Sequence, residues 1–197
     1  MADTTEEMIR EALREGRYED AVGIAIRGYG EEVLGFLVKT TRNRTDADEV
    51  FSQCCVDLMQ GVRGYRGEGT FRAWMYTVAT NAFRRHQREP YRRRASGDQI
   101  EFEKVEAAMR TATAEYVRTE NKEELRRLRE GLSAEDQQLL TLRIDKKFSW
   151  GEVARILAGE GADASRLRTE EARLRKRFER LKEEFRKGWK RNEGGQS

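Results

Sequence analysis

The sequence holds one proline, one histidine and two cysteines in 197 residues, and each scarcity excludes something. A single proline, Pro90, with few alternating β-branched runs, argues against a β-rich fold and for an almost entirely helical chain. The cysteines, Cys54 and Cys55, are adjacent, which disfavours a structural bridge between them, and no third thiol is available. That usage suits a reducing, cytoplasmic setting. With His86 alone and no cysteine pair at ligand spacing, a zinc site is not expected, nor is any other cofactor. No apolar run approaches membrane-spanning length, and the opening MADTTEEMIREALREG is acidic and polar. Neither membrane insertion nor a signal peptide is expected.

Charge is what the chain has in quantity. Hydrophobic residues make up 37% and charged residues 38%, so any core must be thin and shared among small modules. The net charge of +3 conceals segregation. Six arginines stand against one glutamate from Arg84 to Arg94, and twelve basic residues against five acidic ones from Arg166 to Arg191. Two separated basic blocks point to two contacts with a polyanion, although solvated helix faces give similar runs.

Apolar periodicity predicts a short helix over residues 1–16, with Met8, Ile9, Ala12 and Leu13 on one face. A second, from Glu19 to Thr40, would bury Val22, Ile26, Tyr29, Val33, Phe36 and Leu37. A third is expected to be capped by Thr45 and broken by Gly61 and Gly64. "GEGTFRAWMYTVATNAFRRHQRE" forms the next helix and stops near Pro90. Residues 91–119 have no strong apolar stripe and read as a linker. Beyond it, "LSAEDQQLL" and "FSWGEVARILAG" carry capping-box spacing at Ser133 and Ser149, and a long last helix runs from about Ser165 to Trp189. The expectation is an all-α protein of two small helical domains, 1–90 and 120–190, with a polar tail at 191–197.

Several faces carry candidate chemistry. Phe71, Trp74, Met75, Val78 and Ala82 share one face of their helix and should be scaffold. Thr77, Asn81, Arg84, Arg85 and Arg88 share another. Arginine holds phosphates, asparagine can read a base edge, and the glycine-rich GYRGEG loop lets backbone approach closely. On the preceding helix, Asp46, Glu49, Gln53 and Asp57 form an acidic and amide stripe suited to docking a basic protein surface. On the last helix, Leu174, Phe178, Leu181 and Phe185 face inward while Arg173, Lys176, Arg177 and Arg180 face outward. A short helix followed by a long basic one suits a helix-turn-helix, but a basic coiled-coil helix has the same spacing.

In this order, "DADEVFSQCCVDLM", "GYRGEGTFRAWMYTVATNAFRRHQRE" and "LSAEDQQLLTLRIDKKFSWGEVARIL" with the basic helix resemble a bacterial sigma factor of the extracytoplasmic-function (ECF) type. The resemblance covers roughly residues 20–90 and 120–187. It implies a subunit without catalytic chemistry that joins core RNA polymerase to promoter DNA and helps open the minus-ten element; an anti-sigma protein is a further partner it allows. Carried over by position, Tyr65 and Asn81 match residues lining a pocket for an unstacked base. Asp46, Asp48, Glu49 and Gln53 match the polymerase-facing helix. The chain departs from the family at Ser52 and Met59, and in residues 158–168, where the family has a shorter turn. The alternative is a helix-turn-helix regulator or adaptor with no polymerase role. An enzyme acting on nucleic acid has no support, since no nucleophile–base pair or carboxylate cluster emerges from the sequence.

Overall fold

The computed structural model describes residues 2–88 and 131–193, and every described element is helical. The expected linker 91–119 and the end of the tail lie outside the described residues, as do Arg92, Arg93 and Arg94. The chain divides into two compact units, Met1–Glu101 with Arg155–Ala162 and Phe102–Ala154 with Asp163–Ser197.

The first unit is built on four helices, α1 (Ala2–Arg14), α2 (Tyr18–Thr41), α3 (Arg44–Gly61) and α4 (Phe71–Arg88). Gly16 ends α1 in the left-handed region, at φ 75°. There Arg17 N–H donates to Ala12 O (2.8 Å) and Gly16 N–H to Leu13 O (3.1 Å), a double closure that a side chain at Gly16 would strain. Helix α2 is the centre of the unit, packing against α1, α3 and α4. Its apolar face buries Val22, Tyr29, Val33, Phe36 and Leu37, as the periodicity predicts, while Ile26 is only half-buried. The rings of Phe36 and Tyr76 meet edge-on with centroids 5.2 Å apart and tie α2 to α4. Both are fully buried, and each such side chain contributes on the order of 2–3 kcal/mol of hydrophobic stabilisation. Gly30 lets α2 approach α3, because a Cβ there would stand 3.3 Å from the Phe51 ring.

Two details differ from the sequence expectation. The cap of α3 is Asn43, whose side chain accepts from Asp46 N–H at 3.2 Å, not Thr45. Asparagine outranks threonine at this position, and Thr45 lies one residue inside the helix. Met8, assigned to the apolar face of α1, is 45% exposed, whereas Ile9 and Ala12 are fully buried.

The second unit contains α5 (Ala134–Leu140), which runs on through a π-helical turn at Thr141–Asp145, and all of α7 (Ala164–Glu193). The boundary between the units falls within α6 (Trp150–Ala158). Both expected capping sites are present. Ser133 Oγ accepts from Asp136 N–H (3.2 Å); Ser149 Oγ accepts from Glu152 N–H (3.3 Å), and Glu152 in return accepts from Ser149 N–H (2.9 Å). Leu174 and Leu181 are buried, and the Phe178 ring rests edge-on against Trp150, centroids 5.4 Å apart. Trp150 also carries the Arg143 and Arg175 guanidinium groups within 4.9 and 5.7 Å of its ring centre. Helix α7 begins at Ala164, with Asp163 accepting from Arg166 N–H at 2.7 Å, so the turn after α6 spans residues 159–163 and Arg166 and Arg168 lie within the helix.

Candidate functional site

The start of α4 shows how the glycine-rich loop is held. A helix N-terminus leaves its first amides without partners inside the helix. Here Thr70 Oγ1 accepts from Ala73 N–H (3.1 Å), while the Glu6 carboxylate, reaching across from α1, accepts from Phe71 N–H (3.1 Å) and Arg72 N–H (2.8 Å). Glu32 of α2 takes the Arg72 guanidinium in a two-point contact of 2.6 and 3.0 Å. Tyr65 of the loop packs on Phe71 and Trp74 of the first turn of α4, an aromatic trio with centroids 4.9–5.1 Å apart. The Tyr65 hydroxyl donates to Gly69 O at 3.0 Å and closes the loop on itself. Gly67 and Gly69 take φ of 72° and 100°, which this tight return requires. Burial pushes the Tyr65 phenol up to about 12, so it stays a neutral donor at physiological pH. Trp74, expected in the core, is half-buried on the edge of this trio.

Further along α4 the expected polar face divides. Asn81 and Arg84 are half-buried and Arg88 is exposed; at offsets 0, 3 and 7 they make one stripe. Thr77 does not belong to it. It is 3% exposed and its hydroxyl turns back to Ala73 O at 3.1 Å, so it serves the helix rather than a surface. Arg85 is exposed but pairs with Asp57 of α3.

That pair revises the picture of the acidic stripe on α3. Asp57 accepts from both Arg85 and Gln53, the latter at 3.0 Å. Asp46 lies 3.5 Å from His86 Nε2 and Glu49 3.6 Å from His86 Nδ1. The stripe's inner edge therefore faces the basic end of α4, which helical offsets alone do not reveal. The outer edge is a shallow concavity lined by Thr45, Asp48, Glu49, Ser52, Gln53 and Val56. Val56 and Met59 are 47% and 44% exposed, an apolar margin to this acidic surface. Among the described residues Asp46, Glu49 and His86 are the group able to hold a metal ion. The sequence expectation did not include this group, because its members come together only when α3 packs on α4.

In the second unit the outward residues of α7 are unequal. Arg177 is committed to Asp136 through Nε (2.7 Å) and Nη2 (2.6 Å), and this guanidinium, helped by Ser133, holds the Asp136 carboxyl below its ordinary value. Arg173 pairs with Glu170 one turn back (2.7 Å). Lys176 and Arg180 are exposed. Arg166 and Arg168, absent from the expected set, are exposed in the first two turns of α7.

Residues 25–94 match the family Sigma-70 region 2. That span holds most of α2, all of α3 and α4, and the glycine-rich loop. The chain is also similar to the RNA polymerase sigma factor YlaC of Bacillus subtilis (strain 168), with 28% identity over 145 residues. The alignment covers 72% of this chain and 82% of that protein.

Proposed function

We propose that this chain is an RNA polymerase sigma factor of the ECF type, a regulatory subunit rather than an enzyme, and that it initiates transcription by a division of labour among three surfaces. The outer face of α3, with Asp48, Glu49 and Gln53, docks core RNA polymerase. The Tyr65–Gly69 loop and Asn81 receive one unstacked base of the minus-ten element, with Arg84, Arg85 and Arg88 along the strand backbone. Helix α7 grips the minus-thirty-five duplex through Lys176 and Arg180, joined by Arg173 and Arg177. Residues 1–90 act on this reading as region two, 120–190 as region four and 91–119 as the link between them. The protein works in the cytoplasm, and an anti-sigma protein would act by covering one of these surfaces.

The observation that carries the reading is the closed loop at the head of α4. An unstacked base needs a pocket whose walls are fixed beforehand, since ordering a floppy loop would consume the binding energy. Tyr65 bonded to Gly69 and packed on Phe71 and Trp74 is such a wall, and Asn81 supplies hydrogen-bonding groups farther along the same helix. A rigid aromatic wall followed by cations is how single strands are held, by stacking and phosphate contact together.

The test is co-purification with core RNA polymerase followed by run-off transcription from genomic fragments. Holoenzyme assembly and discrete start sites are expected. Duplex binding without assembly would replace this reading with the helix-turn-helix regulator.

A further inference from the structure

We propose that Asp46, Glu49 and His86 form a binding site for a divalent transition-metal ion between α3 and α4. Asp46 and Glu49 are three residues apart on α3, which puts both carboxylates on one face of the helix. His86, the chain's only histidine, comes from the last turns of α4. One ligand atom from each residue lies within 4.8 Å of the other two.

Neither His86 contact has the length of a good hydrogen bond. His86 Nε2 stands 3.5 Å from Asp46 Oδ1 and Nδ1 3.6 Å from Glu49 Oε2. Both exceed the roughly 2.7–3.2 Å of a good N–H···O contact. Ligands bonded at about 2.0–2.1 Å in a tetrahedral site stand about 3.3–3.4 Å apart. Only one ring nitrogen can bind the ion, so the carboxylate now beside the other nitrogen has to swing toward it; starting from donor atoms within 4.8 Å of one another, an adjustment of roughly 1–1.5 Å reaches that spacing.

The donor set indicates the class of ion. One imidazole with two carboxylates is a borderline set that takes zinc and its first-row neighbours, whereas magnesium and calcium prefer oxygen throughout. The scaffold is firm. Ala47 and Val50 on α3 and Ala82 and Phe83 on α4 are buried beside the three ligands, and the Asp57–Arg85 pair spans the same two helices. The His86 side chain is 12% exposed and that of Glu49 48%, so the site has a dry back and an open front where water completes the coordination. This proposal does not rest on the polymerase-docking reading, and its test contains neither polymerase nor DNA.

The test uses the full chain and Zn²⁺ as probe. Calorimetry should find one saturable ion per chain. Because there is one histidine, the imidazole ¹⁵N spectrum reports this residue alone, and one ring nitrogen should shift on Zn²⁺ addition. Substituting Co²⁺ should give ligand-field absorption without a thiolate charge-transfer band, which separates the site from Cys54 and Cys55. His86→Gln and Glu49→Gln should each lose at least about tenfold in affinity. Unshifted imidazole signals at saturating Zn²⁺, a thiolate band, or no saturable binding would each overturn the site. The ¹⁵N readout decides the matter on unaltered protein even if His86→Gln fails to fold.

Discussion

Glu6 and Arg72 stand 66 residues apart and meet at the first turn of α4, where Glu6 Oε1 accepts from the Arg72 amide at 2.8 Å. The other carboxylate oxygen takes the Phe71 amide, and the Tyr29 hydroxyl donates to the same group at 3.3 Å. A negative charge at a helix N-terminus both satisfies open amides and meets the positive end of the helix dipole. Glu6→Ala should therefore cost the N-terminal unit about 2 kcal/mol, read as a lower urea midpoint with unchanged slope. A loss no greater than that of the exposed Glu7→Ala control would contradict the capping role.

Asp136 and Arg177 make the corresponding prediction for the second unit. The Asp136 carboxyl is held below the ordinary 3.8 by the Arg177 guanidinium. Its stabilisation is thus fully present above the unfolded-chain value and is lost as pH falls through the lower folded value. Asp136→Asn should remove that strongly acidic step and cost about 1 kcal/mol at neutral pH, the pair being partly solvent-screened. Thermal melts from neutral to acid pH should show the wild-type and variant curves converging at the acid end.

On α3, the concavity and the inner edge should separate in assay. Asp48→Lys with Gln53→Lys should weaken assembly with core polymerase and leave helix content unchanged. Asp57→Ala should instead lower stability by up to about 1 kcal/mol through loss of the Arg85 pair, with little effect on assembly. Native assembly by the double lysine variant, measured by gel-shift of holoenzyme, would remove α3 as the docking surface.

Asn81→Ala should impair promoter opening rather than closed-complex formation. A good side-chain contact to a base edge is worth roughly 1–3 kcal/mol of discrimination. Permanganate reactivity of minus-ten thymines should fall while closed-complex affinity stays level. Normal reactivity with unchanged sequence preference would rule Asn81 out of the pocket.

For α7, Lys176→Ala and Arg180→Ala should each weaken binding to every duplex and reduce the salt slope by about one phosphate contact. Arg166 and Arg168, near the helix start, should instead change which base is preferred at one position. Fluorescence anisotropy over a salt series against a randomised minus-thirty-five library distinguishes the two outcomes.

Local patterns were the legible part of this fold. The apolar stripe of α2 and the capping serines of α5 and α6 depend on neighbours within a few residues, so spacing reveals them. Asn43 displaced Thr45 as a cap because both fit the pattern, and only the helix start decides between them. Glu6 was invisible for a different reason: its partners lie on another helix, and nothing near Glu6 marks it. The same holds for His86, which reads as solitary until α3 brings Asp46 and Glu49 beside it. Helical offsets group Thr77 with Asn81, but a hydroxyl can bond back to its own helix and leave the surface. Periodicity sorts residues onto faces without saying what each face meets.

The two thiols have a practical consequence. Cys54 is buried and Cys55 half-buried, and burial raises both above the ordinary thiol value, so little thiolate forms at neutral pH. Maleimide and iodoacetamide dyes, which react through the thiolate, should attach slowly to the native protein. A cysteine introduced at the exposed Ser52 position would then be the fast-reacting thiol on α3. The α3 concavity could carry a single fluorophore with both natural cysteines left in place, and its emission would follow whatever comes to cover that face.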